Sequence, residues 1–443
     1  MTLRLLLVRH GLSSFNKDLR IQGRNDLATL TKEGVQQAVN AGNCLAELSI
    51  DYVFSSPLQR AAETTRNILR QHKNQLKAKY TNDLLEIDLE PWSGLRKEEV
   101  QEKFPEQFRI WQKNPKELIL QRKNGEIYKP IEELLLQAEN FLNNLIDTHP
   151  PNTEATILIV GHNAILRCLV LNLLGDPSQG FRRLQFDNAS ISILNINSKK
   201  ANKYDVQIEC LNSTTHLTPP LPSKKNNKRL ILIRHGETNW NLEGRFQGQI
   251  DIPLNKNGKN QALAAGKFLK DVHIDKAFTS SLSRPTETAQ IILKSHPKVK
   301  LEEKKELIEI GHGLWEGKLE SEIKSSWARL LKEWQISPET VQMPEGENIT
   351  DVWNRSVKCW EKICEDLRGT DTALVVAHDA VNKTILCHLL GLSPSNIWMI
   401  KQSNGGITIV DISNDSNNPD VITCLNITSH LGGVIDRTTT GAL

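Results

Sequence analysis

A chain of 443 residues with 38% hydrophobic and 24% charged residues has room for two ordinary domains, and its composition excludes a disordered or fibrous protein. Its 55 Lys and Arg against 52 Asp and Glu leave a net charge of +3, which excludes the broad basic surface of a nucleic-acid or anionic-membrane binder and leaves anion binding to local clusters. No apolar run approaches the roughly 18 residues of a membrane span and the opening Leu3–Val8 is too short for a signal sequence; the seven cysteines are scattered without C-x-x-C or zinc spacing, so free thiols in a reducing cytoplasm and no metal site are expected.

Taken in order, the chain opens on a strand over 3–8 that runs into Arg9, His10 and Gly11. A helix over about 32–48 follows, with Val35, Ala38, Val39, Gly42, Leu45 and Ala46 on one face. Then come a strand over 52–55, a helix over 57–70, a candidate strand near 77–80, and the apolar strand ILIV (157–160) that ends in Gly161 and His162. Near-continuous apolar strands alternating with amphipathic helices predict an α/β unit, a mostly parallel sheet flanked by helices on both faces.

The stretch TPPLPSKKNNKR (218–229), Pro-rich and then basic, reads as a linker, and after it the pattern begins again. LLLVRHGLSSFN (5–16) returns as LILIRHGETNWN (230–241), FSSPLQRAAETT (54–65) as TSSLSRPTETA (279–289), and LLEIDLEPWSG (84–94) as LIEIGHGLWEG (307–317). ILIVGHNAILR (157–167) returns as ALVVAHDAVNK (373–383), and CLNSTTHL (210–217) as CLNITSHL (424–431). The expected organisation is two tandem domains, 1–217 and 230–443, joined by 218–229; the first carries a few extra residues between Glu86 and His162.

In open α/β sheets the ligand crevice lies beyond the carboxyl ends of the strands. His10, Arg60, Glu86 and His162 each follow a strand, so they converge on one edge. Together they supply what phosphoryl transfer needs: an imidazole nucleophile, forked guanidinium groups for the phosphoryl oxygens, and a carboxyl to protonate the leaving group and then activate water. His162 is expected to be protonated beside phosphate, with a raised pKa. Arg60 and Arg284 could instead pair with Glu63 and Glu287 on the same helical turn. Glu86 competes with Asp83, Asp88 and Glu90 as the acid, and Glu309 with Glu306 and Glu316. Trp92 and Trp315 read as packing residues, and Arg122, Lys123 and Lys129 as either a solvated loop or a rim that attracts a second anionic group.

With R-H-G after an apolar strand, then S-S-x-L-x-R (opening on Thr279-Ser280 in the second copy), L-x-E-I and V-x-H-x-A in order and twice over, nearly the whole chain resembles the histidine phosphatase superfamily, the phosphoglycerate-mutase-like fold. The resemblance implies His10 and His235 as nucleophiles and Glu86 and Glu309 as proton donors. It implies phosphate pockets of Arg9, Arg60 and His162, and of Arg234, Arg284 and His378, and further contacts from Asn16, Asn241 and backbone at Gln22-Gly23 and Gln247-Gly248. No cofactor is implied, and the expected partner is a small phosphorylated metabolite, with neither nucleic acid nor membrane. Two departures stand out: Leu12 replaces the family's Glu, kept as Glu237, which puts fine positioning in the first unit in doubt, and Pro285 replaces Ala at the start of a helix. Mutases of that family carry a long insert between the glutamate and the second histidine, so the short span here implies hydrolysis, without a metal, rather than mutase activity. Sugar-acid phosphates such as 2-carboxyarabinitol 1-phosphate, phosphoserine, α-ribazole phosphate and sugar bisphosphates are open as substrates, as is a division into one catalytic and one phosphometabolite-binding regulatory unit.

Overall fold

A computed structural model describes residues 2–149, 153–175, 180–200, 203–415 and 418–438, and the chain divides into two compact units, Met1–Ser223 with Asp415–Pro419 and Lys224–Asn414 with Asp420–Leu443. Leu5, Leu6, Leu7 and Val8 are fully buried, a state a strand reaches only when both faces of its sheet are covered. Strand Thr2–Arg9 pairs in parallel with Glu154–Gly161, that strand with Tyr52–Ser55, and Tyr52–Ser55 with Ala78–Tyr80. On the other side of Thr2–Arg9 lie Ile191–Lys200 and then Lys203–Ser213, both antiparallel. The second unit repeats this order: Lys228–Arg234 and Thr372–Ala377 are its parallel central strands, followed outward by Lys276–Thr279 and Leu301–Glu303, with antiparallel Ile407–Ile412 and Val421–Ile427 on the opposite side. The closing strands are antiparallel because they follow one another with no crossover helix between them.

In the first unit the chain moves outward through helices Lys32–Leu45 and Gln59–Leu69, which pack on each other, and returns to the centre through Pro130–Asp147, which packs on Asn163–Leu173. Right-handed crossovers taken in opposite directions put the two helix pairs on opposite faces of the sheet. Thr31 caps the first helix by accepting from Gly34 N, and that helix ends at Leu45, short of the expected 48. The second unit's opening strand begins at Lys228, inside the stretch read as linker. Within the longer Glu86-to-His162 stretch the first unit folds a hairpin, Leu120–Gln121 against Ile127–Tyr128. All seven cysteines are free thiols, and among the described residues no helix is long and apolar enough to cross a membrane.

Candidate active site

Strand register places the two histidines of each unit side by side. Arg9 lies opposite Gly161, so the next residues of the two central strands are His10 and His162; their rings meet edge-on at 5.1 Å. Arg234 lies opposite Ala377 in the same way, and His235 meets His378 at 5.2 Å. The glycine after each nucleophile candidate is a packing requirement: a Cβ on Gly11 would fall 2.3 Å from the Gly34 carbonyl, and one on Gly236 would fall 2.4 Å from that of Gly258. His10 Nδ1 lies 2.8 Å from the Gly11 carbonyl, which can only accept, so Nδ1 carries the proton and Nε2 the lone pair. His235 is held likewise at 2.7 Å, and Arg284 Nε donates to its Nε2 at 3.3 Å.

Arg60 is fully buried, and its Nη atoms donate to the carbonyls of Asn25 (2.8 Å) and Gly23 (2.9 Å), the latter at φ +52°, a conformation glycine adopts readily. Arg284 does the same with Ile250 and Gly248. The alternative of a surface pair on the same helical turn is therefore excluded for both, and Glu287 instead pairs with Lys259 at 2.9 Å. Arg9 and Arg234 each donate one Nη, to Phe186 O and Gln402 O. With these atoms committed to backbone, the buried Nε of Arg9, Arg60 and Arg234 lack an acceptor, as do Nδ1 of His162 and His378. Buried donors without acceptors are costly, and several in one place mark a site built for an anion.

The same enclosure sets the titration of the site. Burial first, then Arg9 and Arg60, hold His10 well below the usual histidine range; burial, Arg284 and Arg234 do so for His235. Burial and the nearby arginines press His162 and His378 well below their ordinary value, so the rise expected of His162 would have to come from the charge of phosphate beside it. Only a bound dianion supplies the charge that would raise them. Their Nε2 atoms sit 2.8 Å from Ser56 Oγ and Ser280 Oγ, partners the sequence reading passed over within the S-S-x-L-x-R motif.

Glu86 lies across the N-terminus of helix Asn163–Leu173, accepting from Ala164 N (3.0 Å), Ile165 N (3.2 Å) and Ile87 N (3.0 Å). Its competitors are occupied elsewhere: Asp83 accepts from Thr81 Oγ1 in the turn that Thr81 caps, Asp88 pairs with Arg122, and Glu90 accepts from Lys123 N. Glu309 accepts from Asp379 N, Ala380 N and Ile310 N, while Glu316 receives the amides of Gln249, Ile250 and His312. Burial, then the neighbouring Asp379 carboxylate, raises the pKa of Glu309, which favours the protonated acid. Asp379 is itself buried, with Arg234 Nη1 at 3.3 Å and Lys383 Nζ at 2.6 Å, the latter a close ion contact rather than a well-angled hydrogen bond.

Asn16 and Asn241 are fixed by their carbonyl oxygens. Asn16 Oδ1 accepts from Ser13 Oγ and Asn188 Nδ2, and Asn241 Oδ1 from Thr238 and Asn404 Nδ2, which leaves each amide NH2 as the available group. Asn188 and Asn404 also donate to the carbonyls of His10 and His235, a clamp the sequence reading missed because both lie in polar loops before the closing strands. The backbone at Leu12 is held as at Glu237, Leu12 N donating to Gln37 Oε1 and Glu237 N to Gln261 Oε1, but the Glu237 carboxylate also accepts from Asn255 Nδ2, a contact that Leu12 does not make. Pro285 is the third residue of helix Ser283–Leu293, where no intrahelical N–H partner is needed, so the helix starts at the same place in both units. Trp92 and Trp315 are fully buried packing residues. Arg122 is bound to Asp88, Glu126 and Glu133 and stacks on Tyr128, and Lys129 pairs with Glu132, so these two of the three basic side chains are neutralised by their own neighbours.

Two histidine-centred clusters of buried donors, one on each α/β sheet, form an arrangement chemically suited to phosphoryl transfer. The profile of the histidine phosphatase superfamily (branch 1) matches residues 5–207 and 230–424, and the chain belongs to that superfamily. It is 28% identical to the 2-carboxy-D-arabinitol-1-phosphatase of Triticum aestivum over 455 residues, 97% of this chain and 86% of that protein. It is also similar to phosphoserine phosphatase 1 of Hydrogenobacter thermophilus (33% identity, 46% of this chain and 94% of that one). A third relative is 2,3-bisphosphoglycerate-dependent phosphoglycerate mutase 2 of Gloeobacter violaceus (34%, 39% of this chain and 80% of that one).

Proposed function

We propose that residues 1–217 and 230–443 are two catalytic domains, each hydrolysing small phosphate monoesters through a phosphohistidine on His10 or His235. The observation that carries this is the recurrence in both units of a lone-pair-bearing Nε2 beside buried arginine and histidine donors that lack acceptors. Nε2 attacks phosphorus as the P–O bond to the alcohol breaks. Glu86 or Glu309 gives its proton to the departing alkoxide. The resulting carboxylate takes a proton from water, whose oxygen attacks phosphorus and breaks the P–N bond, returning the neutral imidazole and inorganic phosphate. Arg9, Arg60 and His162, and Arg234, Arg284 and His378, stabilise the charge on the transferring group; Asn16 and Asn241 add their amides, and Gly23 and Gly248 act by orienting the arginines.

A sugar-acid phosphate such as 2-carboxyarabinitol 1-phosphate is the proposed substrate, supported by the near full-length likeness to the wheat phosphatase. A cytoplasmic setting fits the free thiols. The test is phosphate release by the full chain and by His10→Ala, His235→Ala and the double variant. Each single variant is expected to retain turnover and the double variant to lose it, with acid-labile phosphate trapped on His10 and His235. Full activity in the double variant would overturn the mechanism; a single variant as inactive as the double would instead leave one unit as a binding domain.

A further inference from the structure

The two pockets differ in one place beside the phosphate cage. In the second unit, helix Asp379–Leu390 presents Asp379 and, one turn on, Lys383, which pair with each other, while Trp398 lies under the ammonium at 4.8 Å and donates Nε1 to Trp334 O. The corresponding helix of the first unit carries Asn163 and Arg167, and the residue that donates to Trp111 O, as Trp398 does to Trp334 O, is Arg182. An acid, a base and a neutral ring thus become an amide and two guanidinium groups.

The consequence is uncompensated positive charge. Arg167 stacks on Phe181 at 5.2 Å and Arg182 on Trp111 at 5.6 Å, but among the described residues Arg167 forms no ion pair and its buried Nε has no acceptor. The Asn163 Oδ1 that stands where Asp379 has its carboxylate is likewise unpartnered. Burial, then the charges of Arg9 and Arg182, push Arg167 down to about 10, and Glu86 is the acid in its field. Asp187 lies in the field of Arg9, but its oxygens accept from Gln185 and Asn212. A half-buried guanidinium whose Nε is enclosed without an acceptor, and which has no carboxylate partner, is costly unless a ligand provides one.

Resting on the phosphatase reading, we infer that the first unit takes phosphate monoesters bearing a second anionic group, a carboxylate or a further phosphate, held by Arg167 and Arg182, whereas the second unit, neutralised by Asp379, does not select for one. The duplicated sites are thereby specialised for different substrates.

The test uses the full chain with one site at a time: His235→Ala leaves the first unit and His10→Ala the second. kcat/KM is compared for 3-phosphoglycerate against glycerol 3-phosphate, which differ by a carboxylate, and for fructose 1,6-bisphosphate against fructose 6-phosphate. The first unit is expected to prefer the more anionic member of at least one pair by about tenfold to a hundredfold, the worth of a charged hydrogen-bonded contact; which pair shows it identifies the group. The second unit is expected to show a ratio near one. In the first-unit background, Arg167→Gln and Asn163→Asp should each collapse the preference through a higher KM for the anionic member; Asn163→Asp does so by adding a carboxylate, without truncating a side chain. Equal ratios in the two single-site proteins, or a preference untouched by both substitutions, would overturn the inference while leaving the phosphatase reading intact. Absence of hydrolysis of every probe by both single-site proteins would overturn the two together.

Discussion

Replacing Asp379 by Asn tests how the second unit tolerates charge in its interior. The Asp379 and Lys383 side chains are 3% and 8% exposed, with 2.6 Å between their charged atoms, and Arg234 Nη1 approaches the other carboxylate oxygen at 3.3 Å. Asparagine keeps the shape but leaves the ammonium without its counter-charge in a poorly solvated setting. Breaking a buried pair from one side costs about 3–5 kcal/mol, and in a unit of this size each kcal/mol moves the thermal midpoint by about 2–4 °C, so a fall of roughly 6–20 °C is expected. Adding Lys383→Met removes the stranded charge and should recover most of the loss, since the pair's attraction largely offsets its desolvation. Calorimetry reads the midpoint, and heat-inactivation of the chain carrying His10→Ala, where only the second unit turns over, identifies which transition moved. A single variant melting within about 2 °C of the parent, or a double variant no better than the single, would refute the argument.

The same substitution should lower the pKa of Glu309, because the carboxylate that helps raise it is gone, so the alkaline limb of the second unit's pH–rate profile moves to lower pH. Arg60→Gln in the His235→Ala background removes a charge that depresses His10; the acid limb of the remaining activity should shift upward, and an unmoved limb would separate Arg60 from the nucleophile's titration. The four pocket histidines are all lowered in the folded state, so the unfolded chain binds more protons below about pH 6.5; stability should fall as pH drops through that value, measured as a urea midpoint. Gly11→Ala drives a methyl into the Gly34 carbonyl and should cost about 1–3 kcal/mol or more together with the first unit's activity, read in the His235→Ala background. Phosphate release is expected to persist in EDTA, since guanidinium and imidazole groups supply the positive charge; loss on chelation would contradict the mechanism.

The central strands were legible because residues buried on both faces must be apolar throughout, and Leu5–Val8 and Leu374–Val376 are. The histidines and Arg60 were legible because each follows such a strand twice in one chain. What stayed hidden is chemistry carried by tertiary contact. Asn188 and Asn404 lie in loops with no periodicity, yet they reach back to the carbonyls of His10 and His235. The lowered His162 depends on how many arginines surround it, which spacing does not convey. Arg122 could be read as a free rim because its pairing with Asp88, 34 residues back in the chain, is made only by the fold. Arg167 carries no mark of its own in the sequence, because what sets it apart from Lys383 is the missing carboxylate partner, Asn163 standing where Asp379 does.

The pairing of His10 N with the Gly161 carbonyl continues the ladder between the two central strands to the very edge of the pocket. The proposed nucleophile, His10, therefore belongs to the region that hydrogen–deuterium exchange should find slowest to open, rather than to a mobile rim. Warming should accordingly extinguish turnover and melt the sheet at one and the same temperature, with no folded but inactive state on the way.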